Sequence, residues 1–176
     1  GFAGHCDWRL PTIVELATLQ GLVDADEAAA LRAAFRDRRP TISDVHVSSD
    51  DSFPHLTLVA PLFAPSGRVA EPIGAVVHVV DARRSLFRLV ASWPIPSLSA
   101  EAVLVRRDGD SVLFLTARRF QPSPASPRRI SLSRRDVPAV MAVLGTERVV
   151  RGVDYRGVRV ISALRAVPGT PWFLVA

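Results

Sequence analysis

Apolar residues recur along this chain with two different periods, and each period predicts a different element. Near the start, Ile13, Leu16 and Leu19 follow Thr12 at helical spacing, with Glu15 at the third helical position. That pairing has capping-box spacing and predicts a short helix from Ile13 to about Gln20. A second pair, Asp24 with Glu27, opens a helix through Ala28, Leu31 and Phe35 to Arg38. Pro40 stops it, because proline brings no backbone N–H to the helical ladder.

Alternation then replaces helical spacing. Ile42–Val47 reads as a short strand, Asp50-Asp51-Ser52 as a turn, and Leu56–Phe63 as a longer strand. The stretch Ala64–Pro72, with Pro65, Ser66 and Gly67, reads as a loop. In the following strand, Ile73–Val80, one face carries Ile73, Ala75, Val77 and Val79, and the other Val76, His78 and Val80. Two largely apolar faces predict a strand at the centre of its sheet. Asp81 caps a helix carrying Leu86, Phe87, Leu89 and Val90 that ends at Trp93-Pro94, and the stiff connector Pro94-Ile95-Pro96-Ser97 marks the boundary between two lobes.

Beyond the connector, Ala102–Arg106 and Ser111–Thr116 form a hairpin around Arg107-Asp108-Gly109-Asp110, where the glycine can take a positive φ. The Pro- and Ser-rich stretch Gln121–Arg129 reads as an exposed loop. Ser133 or Asp136 opens a helix through Val140, Val143 and Leu144 that Gly145 ends. A strand near Glu147–Val153 leads to a closing hairpin, Val158–Val167 and Trp172–Ala176, joined through Pro168-Gly169-Thr170-Pro171. The predicted order of this second lobe is β-β-loop-α-β-β-β.

With 176 residues, 48% of them hydrophobic, the chain can fill the core of one ordinary domain or two small interlocked ones. Its net charge is +5, and all 22 basic residues are arginine, which reads first as GC-rich coding. The arginines are scattered doublets, such as Arg38-Arg39, Arg83-Arg84 and Arg118-Arg119, and aromatics make up only 7% of the chain. A surface that tracks phosphates would cluster the arginines on one face and interleave stacking platforms, so no nucleic-acid partner is expected. Cys6 has no second thiol with which to form an internal disulfide or a thiolate zinc site. No apolar run reaches the ~18 residues of a membrane span.

The segments SDVH (Ser43–His46), LTLVAPLF (Leu56–Phe63), Pro72–Leu115 and DYRGVRVISALRAVPGTPWFLVA (Asp154–Ala176) resemble, in that order, the extracytoplasmic Cache family. These are PAS-like sensor domains of bacterial histidine kinases, diguanylate cyclases and chemoreceptors. The resemblance covers about Ala25 to Ala176 and implies an α+β fold of PAS-like antiparallel sheet lobes with flanking helices. In the two-lobed version, residues 97–176 would be a complete second lobe and residues 25–96 an incomplete first one. Residues 1–24 stand apart, because GFAGHCDWRLPTIVEL is similar to a bacterial domain of unknown function marked by a DWRLPT stretch, often found in secreted or surface proteins.

The Cache resemblance implies a non-catalytic, small-molecule-binding sensor on the periplasmic face of the inner membrane. Such a module is tied to the membrane only by flanking transmembrane helices that this chain does not contain, and the family also admits a homodimer. It implies no cofactor. The DWRLPT segment suggests the alternative of a secreted or surface structural or adhesive module.

Candidate chemistry is sparse. Asp44 and His46, two apart on a strand, share a face, with His55 near across a hairpin; they can be read as a metal or ligand site, or else as plain hydrogen bonds at a strand end, and no metal is assigned. His78 in an apolar strand is expected to be a satisfied core or pocket residue. The chain has no G-x-S-x-G elbow, Ser99 and Ser133 lack a recognisable base partner, and a phosphate loop of the GxxxxGK type is impossible without lysine. Asp50-Asp51 sit in a turn with nothing apolar to raise a carboxyl pKa, so no enzyme is expected. Tyr155 and Arg156 precede Gly157 at a bend where a PAS-like lobe places pocket-edge residues. Arg165 could bind a carboxylate bidentately. Of Trp172 and Phe173, at most one faces the pocket side.

Overall fold

The computed structural model describes residues 25–47, 53–64, 72–92, 97–120 and 129–176. The predicted helix at Ile13–Gln20, His5, Cys6, the Asp50-Asp51-Ser52 turn and the Pro94–Pro96 connector lie outside the described residues. The chain divides into two compact units, Gly1–Asp81 and Ala82–Ala176.

The first unit packs helix α1 (Ala25–Asp37) on a three-stranded antiparallel sheet of β1 (Thr41–Ile42), β2 (His55–Phe63) and β3 (Pro72–Asp81). Ala30 and Ala34, four residues apart on one helical face, lie against Val59, and their small side chains let helix and sheet approach closely. The helix ends at Asp37, and the φ of +54° at Arg38 turns the chain out of helical geometry two residues before Pro40. β1 is shorter than the predicted Ile42–Val47, but the pairing resumes in an isolated antiparallel bridge between His46 and His55.

Two expectations for β3 are overturned. Among the described residues the sheet order is β1-β2-β3, so β2 is central and β3 lies at an edge. Its two apolar faces therefore do not mean burial: Val76 is 55% exposed, and Val77, His78 and Val79 are exposed as well. His78 is a surface residue rather than a core or pocket one.

The second unit contains α2 (Leu86–Ala91), β4 (Val103–Asp108), β5 (Ser111–Phe114), β6 (Arg129–Ser131), α3 (Pro138–Val143), β7 (Val149–Val153), β8 (Arg159–Ala166) and β9 (Trp172–Val175). Its six strands form one antiparallel sheet in the order β6-β5-β4-β9-β8-β7. The β4–β5 turn places Gly109 at φ +58°, as its Asp-Gly sequence requires. The closing hairpin is present, with Leu164 opposite Val175 and Ala166 opposite Phe173.

Helix α3 lies on this sheet, and Val137, Ala139, Val140 and Ala142 bury themselves against Val103, Val105, Val112, Phe114, Leu164 and Val175. Neither Ser133 nor Asp136 caps the helix. The N-cap is Val137, with no side-chain cap, and Pro138 occupies the first turn, where its missing N–H costs nothing. The backbone carbonyl of Asp136 instead accepts the N–H of Val153, which ties the helix entrance to β7. Gly145, at φ +95°, ends the helix as predicted. Strand β6, which begins at Arg129 where the predicted loop ends and was not itself predicted, extends the sheet beyond β5.

Candidate functional site

Within the second unit, a cavity of about 340 Å³ opens between the start of α3 and strands β4, β7 and β8. Its floor is apolar, built from Val103, Phe114, Val137 and Ala139. These side chains belong to the unit's core, so the floor is fixed by close packing. At the mouth the polar groups are Glu101, Asp154, Tyr155 and Arg156, beside the exposed apolar side chains of Val149 and Ile161, while Ser162 lines the cavity as a buried residue.

The mouth is built around the bend between β7 and β8. The Asp154 carboxylate accepts the backbone N–H groups of Arg156 and Val158 through Oδ1, at 2.8 and 3.0 Å. Its Oδ2 accepts the Arg156 guanidinium through Nε at 2.7 Å. Gly157, at φ +84°, completes the reversal. One carboxylate thus shapes the loop and aims the arginine, and this pairing raises the pKa of Arg156 above its ordinary value.

Tyr155 sits where three groups converge. Its hydroxyl accepts the backbone N–H of Phe120 at 3.2 Å. Its ring meets Phe114 edge to face, with centroids 6.1 Å apart. The buried guanidinium of Arg118 lies 4.8 Å from its centroid, a cation–π distance. Burial, and then hydrogen bonding to the Glu101 carboxylate, push the Tyr155 phenol up to about 12. Glu101 also accepts the Arg119 N–H at 2.8 Å through Oε2, and the Arg119 guanidinium donates to the carbonyls of Ser97 and Ala100 at 2.8 and 3.0 Å. The Arg118-Arg119 doublet is therefore part of the framework of this mouth, a role that its appearance as one of many arginine pairs conceals.

The predicted site residues fall in separate places. Tyr155 and Arg156 line the cavity. Arg165 is exposed on β8 and is not among the residues lining it. Trp172 is buried and Phe173 packs on the core, and neither lines the cavity. Asp44 and His46 belong to the first unit. There the Oδ1 of Asp44 accepts the N–H of Val45 at 2.8 Å, and its carbonyl accepts Nδ1 of His46 at 2.8 Å. His46 lies against His55, with ring centroids 4.3 Å apart, and Glu27 of α1 approaches the same pair. Sequence reasoning missed Glu101 and Ser162 for the cavity and Glu27 for the histidine pair; the one signal among them was the helix-start position of Glu27, which points to a cap and not across to a strand.

No family model matches the chain, and no curated protein sequence matches it. Solved structures do. The ligand-binding domain of the amino acid chemoreceptor PctB of Pseudomonas aeruginosa PAO1, in complex with L-Arg, aligns over 87% of this chain and 55% of its own, at 18% identity and a TM-score of 0.53. The ligand-binding domain of Mlp24 with asparagine aligns over 87% and 56%, at 16% identity and a TM-score of 0.49. That of the Pseudomonas fluorescens chemoreceptor CtaA in complex with L-serine aligns over 83% and 57%, at 14% identity and a TM-score of 0.48. The chain spans little more than half the length of each. The PctB likeness shows the fold: an α+β chain with antiparallel sheets in a PAS-like, Cache-type fold.

Proposed function

We propose that this chain is an extracytoplasmic sensor module that takes a small amphiphilic molecule, of the amino-acid or organic-acid class, into the cavity of its second unit. The observation that carries the reading is the cavity itself. A volume of about 340 Å³ stands at the small end of the range typical of ligand pockets, and an apolar floor under a few convergent polar groups is their usual make-up. Carboxylate and guanidinium stand together at the mouth, in Glu101 and Arg156, and they complement a ligand that carries both signs of charge. Arg156, held at Nε and Nη2 by Asp154, offers its remaining Nη1 to a ligand carboxylate, and Glu101 suits an ammonium.

The shared fold with the PctB domain, whose complex contains L-Arg, supports the same class. Signalling would follow if the ligand binds two arrangements of the unit with different affinity, displacing the β7–β8 bend that Asp154 holds. The module is then non-catalytic and lies on the periplasmic side of a membrane protein, with a kinase, a cyclase or a chemotaxis domain as its output. No helix among the described residues is long and apolar enough to cross a membrane.

A thermal-shift screen against amino acids and organic acids, run with a chelator present, tests this. Stabilisation by one ligand class, confirmed by calorimetry and weakened at least about tenfold in both Glu101→Gln and Arg156→Gln, is expected; truncating one partner of a desolvated charge pair costs about 2–5 kcal/mol. Stabilisation that both variants leave intact, or none by any compound, overturns the cavity as the ligand site.

A further inference from the structure

Glu27, His46 and His55 offer three metal-ligating atoms that all lie within 4.8 Å of one another, one from α1 and two from the strand bridge below it. We propose that this cluster is a transition-metal site of the zinc class, separate from the cavity, which fastens the helix to the sheet of the first unit.

The backbone makes the histidine pairing. His46 and His55 exchange both N–H···O bonds, at 3.0 and 2.9 Å, so they stand directly opposite each other, and their side chains leave the sheet on the same face. Each ring is then anchored through the same nitrogen. Nδ1 of His46 lies 2.8 Å from the carbonyl of Asp44, and Nδ1 of His55 lies 3.2 Å from the carbonyl of Phe53. A carbonyl oxygen can only accept, so both Nδ1 atoms carry their protons, and in the neutral form of each ring the lone pair stands on Nε2. An imidazole fixed at Nδ1 by a backbone carbonyl with Nε2 presented as the base is the second-shell arrangement of metal-ligating histidine.

The carboxylate is held in a comparable way. Thr57, on the same face of β2 as His55, donates its hydroxyl to Oε1 of Glu27 at 3.0 Å. This brings that oxygen to 4.0 Å from Nε2 of His55. Two imidazole nitrogens and one carboxylate oxygen form a borderline donor set that suits zinc, cobalt or nickel rather than calcium or magnesium, which take oxygen throughout. Bonds of about 2.0–2.1 Å to a tetrahedral ion require ligand atoms about 3.4 Å apart, so loading draws the three side chains inward by roughly an ångström. His55 is 1% exposed, while Glu27 and His46 are half-buried, so an ion reaches the cluster from one side and keeps a fourth position for water.

The site is tested on the full chain with Zn(II) by calorimetry and with Co(II) by visible absorption. One equivalent of metal should bind, raise the unfolding temperature and give the d–d bands of a nitrogen- and oxygen-ligated Co(II) centre. Because loss of even a second-shell partner typically weakens a metal site about 10–100-fold, Glu27→Gln and His46→Gln should each weaken binding at least about tenfold. Both replacements leave the sheet pairing intact, and the metal-free unfolding temperature checks that each variant folds. Cys6→Ser should bind as the native chain does. Absence of saturable binding overturns the proposal, as does binding unaffected by Glu27→Gln and His46→Gln, or binding lost in Cys6→Ser with thiolate charge-transfer bands in the native Co(II) spectrum, which would place the metal at the His5-Cys6 pair.

Discussion

The Tyr155 hydroxyl accepts the backbone N–H of Phe120 at 3.2 Å, and so joins the β7–β8 bend to the segment beyond β5 across the mouth of the cavity. Tyr155 is the only tyrosine in the chain, so its phenolate absorbance can be followed without interference from another. A spectrophotometric titration should find the phenol ionising near about 12, above its ordinary 10. The folded state then holds the proton more tightly than the unfolded chain. The associated stability is complete below about pH 10 and is lost as the pH rises from there through the folded value. Glu101→Gln removes the neighbouring charge and should bring the titration back toward 10; an unchanged midpoint would show that burial alone sets it.

Asp154 should matter for stability beyond its charge. Asp154→Ala removes the acceptor of two backbone N–H groups and of the Arg156 guanidinium at once. The expected loss in urea denaturation is about 1–3 kcal/mol. Asp154→Asn keeps a side-chain oxygen for the two N–H groups and should lose less than half of that.

Two glycines should respond to alanine for different reasons. At Gly152 a Cβ would meet the Asp136 carbonyl oxygen at 2.6 Å and Pro138 Cδ at 2.8 Å, where the entrance to α3 crosses β7. Backbone must move, and Gly152→Ala should cost about 3 kcal/mol, at the upper end for overpacking. At Gly109 the space is open but φ is +58°, so Gly109→Ala should cost about 1 kcal/mol from backbone strain alone. Equal losses at the two sites would contradict this account.

Ala139 lies on the cavity floor and is buried. Ala139→Leu should fill part of the 340 Å³ while shifting the urea midpoint little, since the added methylenes enter vacant space. Any ligand found in the screen should then bind at least about tenfold more weakly. Unchanged affinity would place the ligand elsewhere.

The legible parts of this fold were those with local causes. The Asp-Gly turn after β4, the Gly145 stop of α3 and the Pro-Gly connection of the closing hairpin are set by backbone conformations that few residues can adopt, so they read directly from the sequence. Strand β6 was missed because Arg129-Ile130-Ser131 is too short to show a period, and it borders a Pro- and Ser-rich run. The edge position of β3 was misread because apolar residues on two faces describe chemistry and not neighbours. Tyr155 and Arg156, singled out at a bend where a PAS-like lobe places pocket-edge residues, line the cavity. Glu101 came to the same mouth through the N–H of Arg119, 18 residues away, and Glu27 meets Thr57 across 30 residues. Sequence spacing carries no trace of such meetings, which depend on how the elements pack.

The sheet order of the second unit bears on how that unit folds. β9 is the last strand in sequence, yet it stands in the interior of the sheet, between β4 and β8. Until Trp172–Val175 arrive, β6-β5-β4 and β8-β7 have no shared strand and each leaves an edge open. Val103 pairs with Val175 over most of the length of the unit, a contact of high sequence separation whose loop-closure entropy must be met before the core of α3 can form. Pairing of β9 is therefore the step that joins the two halves of this sheet, and the cavity, walled by both halves, comes into being with it.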